Sequence, residues 1–122
     1  MSLRINVFLV TILMIFLFSC SKDRYASINI SKPSNGEVFT APEVIQVIAT
    51  LSDGDALGCE RLAVTKQNGA NDTVINFSDN QQTASYTFNK NFVSESNTTY
   101  KIIVSACAEG VLTGDTIFVH AN

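Results

Sequence analysis

The sequence predicts an all-β domain, a two-sheet sandwich of about seven short strands. Three observations carry this. In the hundred or so residues after the N-terminal apolar run, no stretch sustains the i, i+3, i+4 apolar pattern of a helix over three turns. Short runs that alternate apolar and polar residues recur instead at intervals of eight to fifteen residues. Between them stand Gly, Asn, Asp and Ser, the residues that turn a chain.

The elements follow in order. Ala26 to Ser31 points Ile28 and Ile30 to one side, and Pro33-Ser34-Asn35-Gly36 then breaks and turns the chain. Proline cannot donate to a strand ladder, and Asn-Gly tolerates positive φ. Val44 to Leu51 is the strongest strand, with Ile45, Val47, Ala49 and Leu51 on one face and Ile48 among polar residues on the other. Ser52-Asp53-Gly54-Asp55 is a turn cluster. Arg61 to Thr65 offers Leu62 and Val64, Thr73 to Phe77 offers Val74 and Phe77, and Ala84 to Phe88 offers Tyr86 and Phe88. Tyr100, Ile102, Val104 and Ala106 alternate along the next strand, and Thr116 to His120 closes the domain with Ile117 and Val119 inward. There is one domain's worth of chain here, with no repeat and no low-complexity tract.

The first residues have a different logic. Arg4 gives a positive start, Val7 to Phe18 is a twelve-residue apolar stretch broken only by Thr11, and Ser19-Cys20 ends it. A helix needs about 20 apolar residues to cross a bilayer core, so this stretch has the length of a signal-peptide core and not of a span. Leu17-Phe18-Ser19-Cys20 resembles the lipobox of bacterial lipoproteins, in the loose form found in Bacteroidetes. The resemblance implies that residues 1–19 are a lipoprotein signal peptide. It also implies that Cys20 is acylated as the first mature residue, that residues 20–26 are a tether, and that residues 27–122 are the domain. The lipid bilayer is then a partner through acylated Cys20, and the location is the outer membrane of the cell envelope. Ser21-Lys22-Asp23 is similar to a short acidic export tag, with Arg24 standing where another acid is usual.

Without its first nineteen residues the chain keeps seven Lys and Arg against eleven Asp and Glu, a net charge of −4. An acidic chain has no electrostatic footprint for nucleic acid. Catalysis is not expected either: His120 is the single histidine, and no CxxC, HExxH, GxSxG or phosphate-cradling glycine loop occurs.

"ISKPSNGEVF", then "EVIQVIATLSDGD", then "TTYKIIVSACAEG" resemble the immunoglobulin-like or fibronectin type III-like domains of bacterial surface proteins. The resemblance runs from Ile28 to Val119 and implies a fold far better than a function. It makes Tyr100 the tyrosine of the corner between the fifth and sixth strands of such a fold, with its hydroxyl bonded to nearby backbone. It places Cys59 at the start of the third strand and Cys107 at the end of the sixth, neighbours in one sheet. A Cys59–Cys107 disulfide is then expected, with two buried free thiols as the alternative. Asp53, Asp55 and Glu60, with Glu109 from the facing loop, are oxygen donors of the type calcium requires, although Asp-Gly clusters are also ordinary turn formers. Asp72-Thr73-Val74 and Asp115-Thr116-Ile117 resemble the Asp-Thr-aliphatic O-glycosylation sequon of Bacteroidetes, with Thr73 the more exposed of the two threonines.

Two functions of different class remain. One is a non-enzymatic, membrane-anchored binding or adhesion module. The other is a structural accessory to a larger outer-membrane complex such as glycan-uptake machinery. The partner is accordingly another envelope protein or a surface glycan. A binder should show a concave site with aromatic lining, an accessory a contiguous apolar patch, and Phe39, Phe92 and Phe118 are the side chains whose exposure bears on the choice.

Overall fold

The computed structural model describes residues 25–53, 56–67 and 72–122. Cys20 and Asp55 lie outside them. The described chain is all β: β1 (Ser27–Lys32), β2 (Val38–Phe39), β3 (Val44–Ser52), β4 (Leu57–Lys66), β5 (Thr73–Asp79), β6 (Ser85–Val93), β7 (Thr98–Ala108) and β8 (Val111–Ala121). One sheet has the order β1-β3-β6 and the other β2-β8-β7-β4-β5. Every pairing is antiparallel except β2 on β8.

Strict alternation decides which faces meet. Ile45, Val47, Ala49 and Leu51 of β3 and Tyr100, Ile102, Val104 and Ala106 of β7 are all fully buried. Leu62 and Val64 of β4, Phe88 of β6 and Val119 of β8 complete the layer between the sheets. Each such aliphatic side chain contributes about 1.5–3 kcal/mol on full burial. Ala26, 5 % exposed, belongs to this core, so packing begins one residue ahead of the expected domain boundary.

Five elements differ from the sequence reading. β4 begins at Leu57, four residues before the expected Arg61. β2 was not anticipated; it is only two residues long, too short to show a period, and rests on the end of β8 through Val38↔His120 and Phe39↔Ala121. β5 turns Ile75 and Phe77 toward Val64 and Leu62, one residue out of step with Val74, although all three are partly buried against the core. β6 runs on to Val93, since Phe92 continues the buried alternation of Tyr86 and Phe88. β8 begins at Val111, five residues before the expected start, because Glu109 (φ 50°) and Gly110 (φ 79°) form a tight hairpin turn with β7. Positive φ at both central residues suits the right-handed twist of the flanking strands.

The outer edge of β6 is open in the three-stranded sheet. Lys90, on the row of β6 that carries Phe88 and Phe92, lays its Nζ over the Phe77 ring, 4.0 Å from the centroid. An inward-turned charge on an edge strand opposes pairing with a further strand, and its contact with the aromatic face adds a cation–π attraction.

Candidate functional site

Three surface regions carry chemistry. The first is a groove where the chain changes sheets. After Lys32 the backbone leaves β1, turns through Pro33-Ser34-Asn35-Gly36 and joins the other sheet at β2. Asn35 and Gly36 fasten this crossover to β8: the Phe118 N–H donates to Asn35 Oδ1 at 3.0 Å, and the Gly36 N–H donates to the Phe118 carbonyl at 2.7 Å. Gly36 sits at φ 82°, a region that an L side chain rarely adopts. Beneath the crossover lies an open groove of about 400 Å³, with Lys32, Glu37, Phe39, Val44 and Gln46 among its lining residues. Phe39 is half-buried against the core.

The second region is the end of the sandwich where β3 leads to β4 and β7 to β8. Cys59 and Cys107 are joined by a disulfide with Cα atoms 5.5 Å apart. A bulge makes the bond feasible: Gly58 is the residue opposite Cys107, the register slips between Gly58 and Arg61, and Cys59 occupies the slip at φ 44°. The Asn80 side chain accepts the Cys59 N–H at 3.3 Å. The bridge staples neighbouring strands of one sheet, unlike the inter-sheet bridge of antibody domains.

Glu60, the next residue, is fully buried. Its Oε2 accepts the Gln81 N–H at 3.3 Å, while Oε1 has no partner among the described residues. Asp53 Oδ2, also shielded from solvent, has none either. Of the four residues singled out for calcium, Asp55 lies outside the described residues. Among the described residues no three metal-ligating side chains come together. Beside Glu60, Asp79 was not anticipated. Its carboxylate accepts from the Asn80 N–H at 2.8 Å, from Gln81 Nε2 at 3.0 Å and from the Tyr86 hydroxyl at 2.9 Å. These bonds, the Asn80 N–H first, hold its carboxyl below the usual carboxylate range. Burial, then the bond to Asp79, pushes the Tyr86 phenol up to about 12.

The third region is the corner between β6 and β7. Tyr100 is fully buried, meets Phe92 at an interplanar tilt of 55° with centroids 4.8 Å apart, and accepts the Glu95 N–H on its hydroxyl at 2.7 Å. Nearby, Ser94 Oγ donates to the Glu43 carbonyl and accepts the Glu43 N–H, both at 3.0 Å, tying the corner to the start of β3.

The remaining expected positions are simply placed. Thr73 and Thr116 are both exposed, Thr73 at the start of β5 and Thr116 within β8, so exposure does not separate them. His120 is half-buried, its Nδ1 2.9 Å from Thr99 Oγ1. Phe92 is in the core, and Phe118 is 44 % exposed on the outer face of β8.

No family model matches the chain, and no curated protein does. Solved structures share its architecture. An engineered protein is similar at a TM-score of 0.54 and 17 % identity over 80 % of this chain and 20 % of its own. The fibronectin(III)-like modules of Clostridium thermocellum CbhA are similar at a TM-score of 0.50 and 16 % identity over 84 % of this chain and 49 % of theirs. The fold is immunoglobulin-like, of the fibronectin type III kind. The chain spans half or less of the length of these structures, and at such identities the likeness concerns fold alone.

Proposed function

We propose that this chain is a non-enzymatic binding module, held at the outer membrane of a Bacteroidetes-type cell by acylation of Cys20 and working outside the cytoplasm. The observation that carries the binding half is the groove beneath the β1–β2 crossover, a concave site with a half-buried aromatic and both charge signs in its lining. The accessory alternative calls for one contiguous apolar patch. Exposed apolar side chains instead form small separate groups: Val111 and Leu112 at one end of β8, Phe118 with Val38 of the neighbouring β2 near the other, Val44 with Val93 on the opposite sheet, and Tyr25 ahead of β1. The disulfide supports an extracytoplasmic home, because such bonds persist in oxidising compartments. Thr73 and Thr116, both on the surface, are where O-glycosylation would fall.

The anchor half has a direct test. The intact chain should partition with detergent, and Cys20→Ala should leave it unprocessed or release it from the membrane fraction. One acyl chain holds a protein only marginally, whereas two or more hold it stably, so loss of the lipidated cysteine should be decisive. Unchanged partitioning of the variant would refute the anchor.

A further inference from the structure

The outer face of the three-stranded sheet has an unusual composition. In β3 and β6 the residues opposite the core are paired across the strands as Gln46↔Asn91, Ile48↔Asn89 and Thr50↔Thr87, and Asn29 of β1 lies beside Thr50. Ser52↔Ser85 close the same rows at one end, and the exposed apolar pair Val44↔Val93 closes them at the other. No carboxylate stands in these outward rows, and their one cation is Lys32 at the margin, where Glu37 lines the same groove. The opposite sheet, by contrast, turns Arg61 and Lys101 outward. The polar face measures roughly 20 Å along the strands and 10 Å across them, and it runs into the groove through Gln46.

From this juxtaposition we infer that the face and its adjoining groove bind a neutral polysaccharide chain; the inference rests on the binding-module reading and names its ligand class. Gln46 Nε2 donates to Asn89 Oδ1 at 3.1 Å, which orients both amides. The side chains of Asn29, Asn91, Thr50 and Thr87 make no hydrogen bond among the described residues. Amides and hydroxyls donate and accept at once, and so does each hydroxyl of a sugar. Over the rows of β3 and β6 a charged ligand would find no counter-charge, since Lys32 and Glu37 stand only at the groove margin. An apolar protein surface would bury those amides without partners, at about 1–3 kcal/mol for each stranded group. An added β-strand would pair along an edge, β1 or β6, and not across this face. Half-buried Phe39 and exposed Val44 give the groove apolar surface for the ring faces of a sugar.

The test is affinity electrophoresis of the full chain in detergent through native gels containing dextran, mannan or laminarin, with polygalacturonate as the acidic comparison. Retardation is expected in at least one neutral gel. The double variant Asn89→Asp, Asn91→Asp keeps the acceptor for Gln46 and removes no packing, so it should melt as the wild type does yet bind roughly tenfold more weakly or worse. Leu112→Ser, on the other sheet, should bind unchanged. Absence of retardation in every neutral gel, or retardation indifferent to the double variant, would overturn the inference. Retardation by polygalacturonate alone, abolished by Lys32→Ala, would overturn the neutral ligand class and leave the binding module standing. A stoichiometric envelope protein cross-linked over this face would overturn both.

Discussion

At the scale of single residues, the two tyrosines make opposite points about legibility. Tyr100 was readable because it heads a strictly alternating strand and stands where such folds place a corner tyrosine; its hydroxyl holds the Glu95 N–H. Tyr100→Phe should lower stability by roughly 0.5–1.5 kcal/mol, the net contribution of one hydrogen bond, measured by chemical denaturation; no change would detach the hydroxyl from corner stability. Tyr86 was readable as a strand residue, but its bond to Asp79 was not, because the partner depends on how the connection from β5 to β6 folds back. Its phenol is raised from 10.0 to about 12, so the protonated form is favoured by folding. The linked stability is complete below pH 10 and is lost as pH climbs from 10 towards 12. Asp79 has the other sign: its carboxyl is depressed, so its share is present above the ordinary carboxylate range and is lost on acidification. Melting temperature followed against pH should therefore fall more steeply above pH 10 in the wild type than in Tyr86→Phe, and superimposable alkaline limbs would show that the pair has no such role. Glu60 stands in the sequence as an oxygen donor beside the Asp53-Gly54-Asp55 turn, and the bulge at Cys59 turns it fully inward.

At the scale of elements, the strands with clean alternation were found in place, and the misjudged ends have local causes. β8 contains Gly114 and Asp115, which read as turn formers. Within the sheet Gly114 lies opposite Ser105, where a glycine has ordinary room, and the strand simply continues through it. β4 looked shorter than it is because Gly58-Cys59-Glu60 interrupts its alternation, and that interruption is the bulge. The same bulge brings Cys59 to Cys107, 48 residues away in sequence. Closing a loop of that length stabilises the domain by about 4 kcal/mol in the chain-entropy model. Cys59→Ala with Cys107→Ala should lower the unfolding free energy by an amount of that order while leaving the far-ultraviolet spectrum of the sheets intact. A double variant as stable as the wild type would remove the bridge from the stability of the fold. The outward rows of β3 and β6 were visible in sequence only as polar partners of an apolar alternation. That they form one uncharged face depends on the pairing of β6 with β3 across a separation no periodicity reports.

At the scale of the whole molecule, the proposed acyl anchor at Cys20 would hold a single sandwich at the membrane with its outer faces free. The sandwich has one buried layer, a groove at its sheet crossover and two outer faces of different charge, while its exposed apolar side chains stay scattered. Such a surface suits reversible capture better than permanent assembly, since obligate interfaces resemble a domain core cut in half. Cross-linking of the chain in native envelopes, followed by mass spectrometry of every linked species, tests this central claim most directly. The chain should be recovered mainly without a protein attached, its few cross-links substoichiometric and spread over several proteins. A single envelope protein linked in near one-to-one amount, through a defined face of the sandwich, would contradict it and establish the accessory role instead.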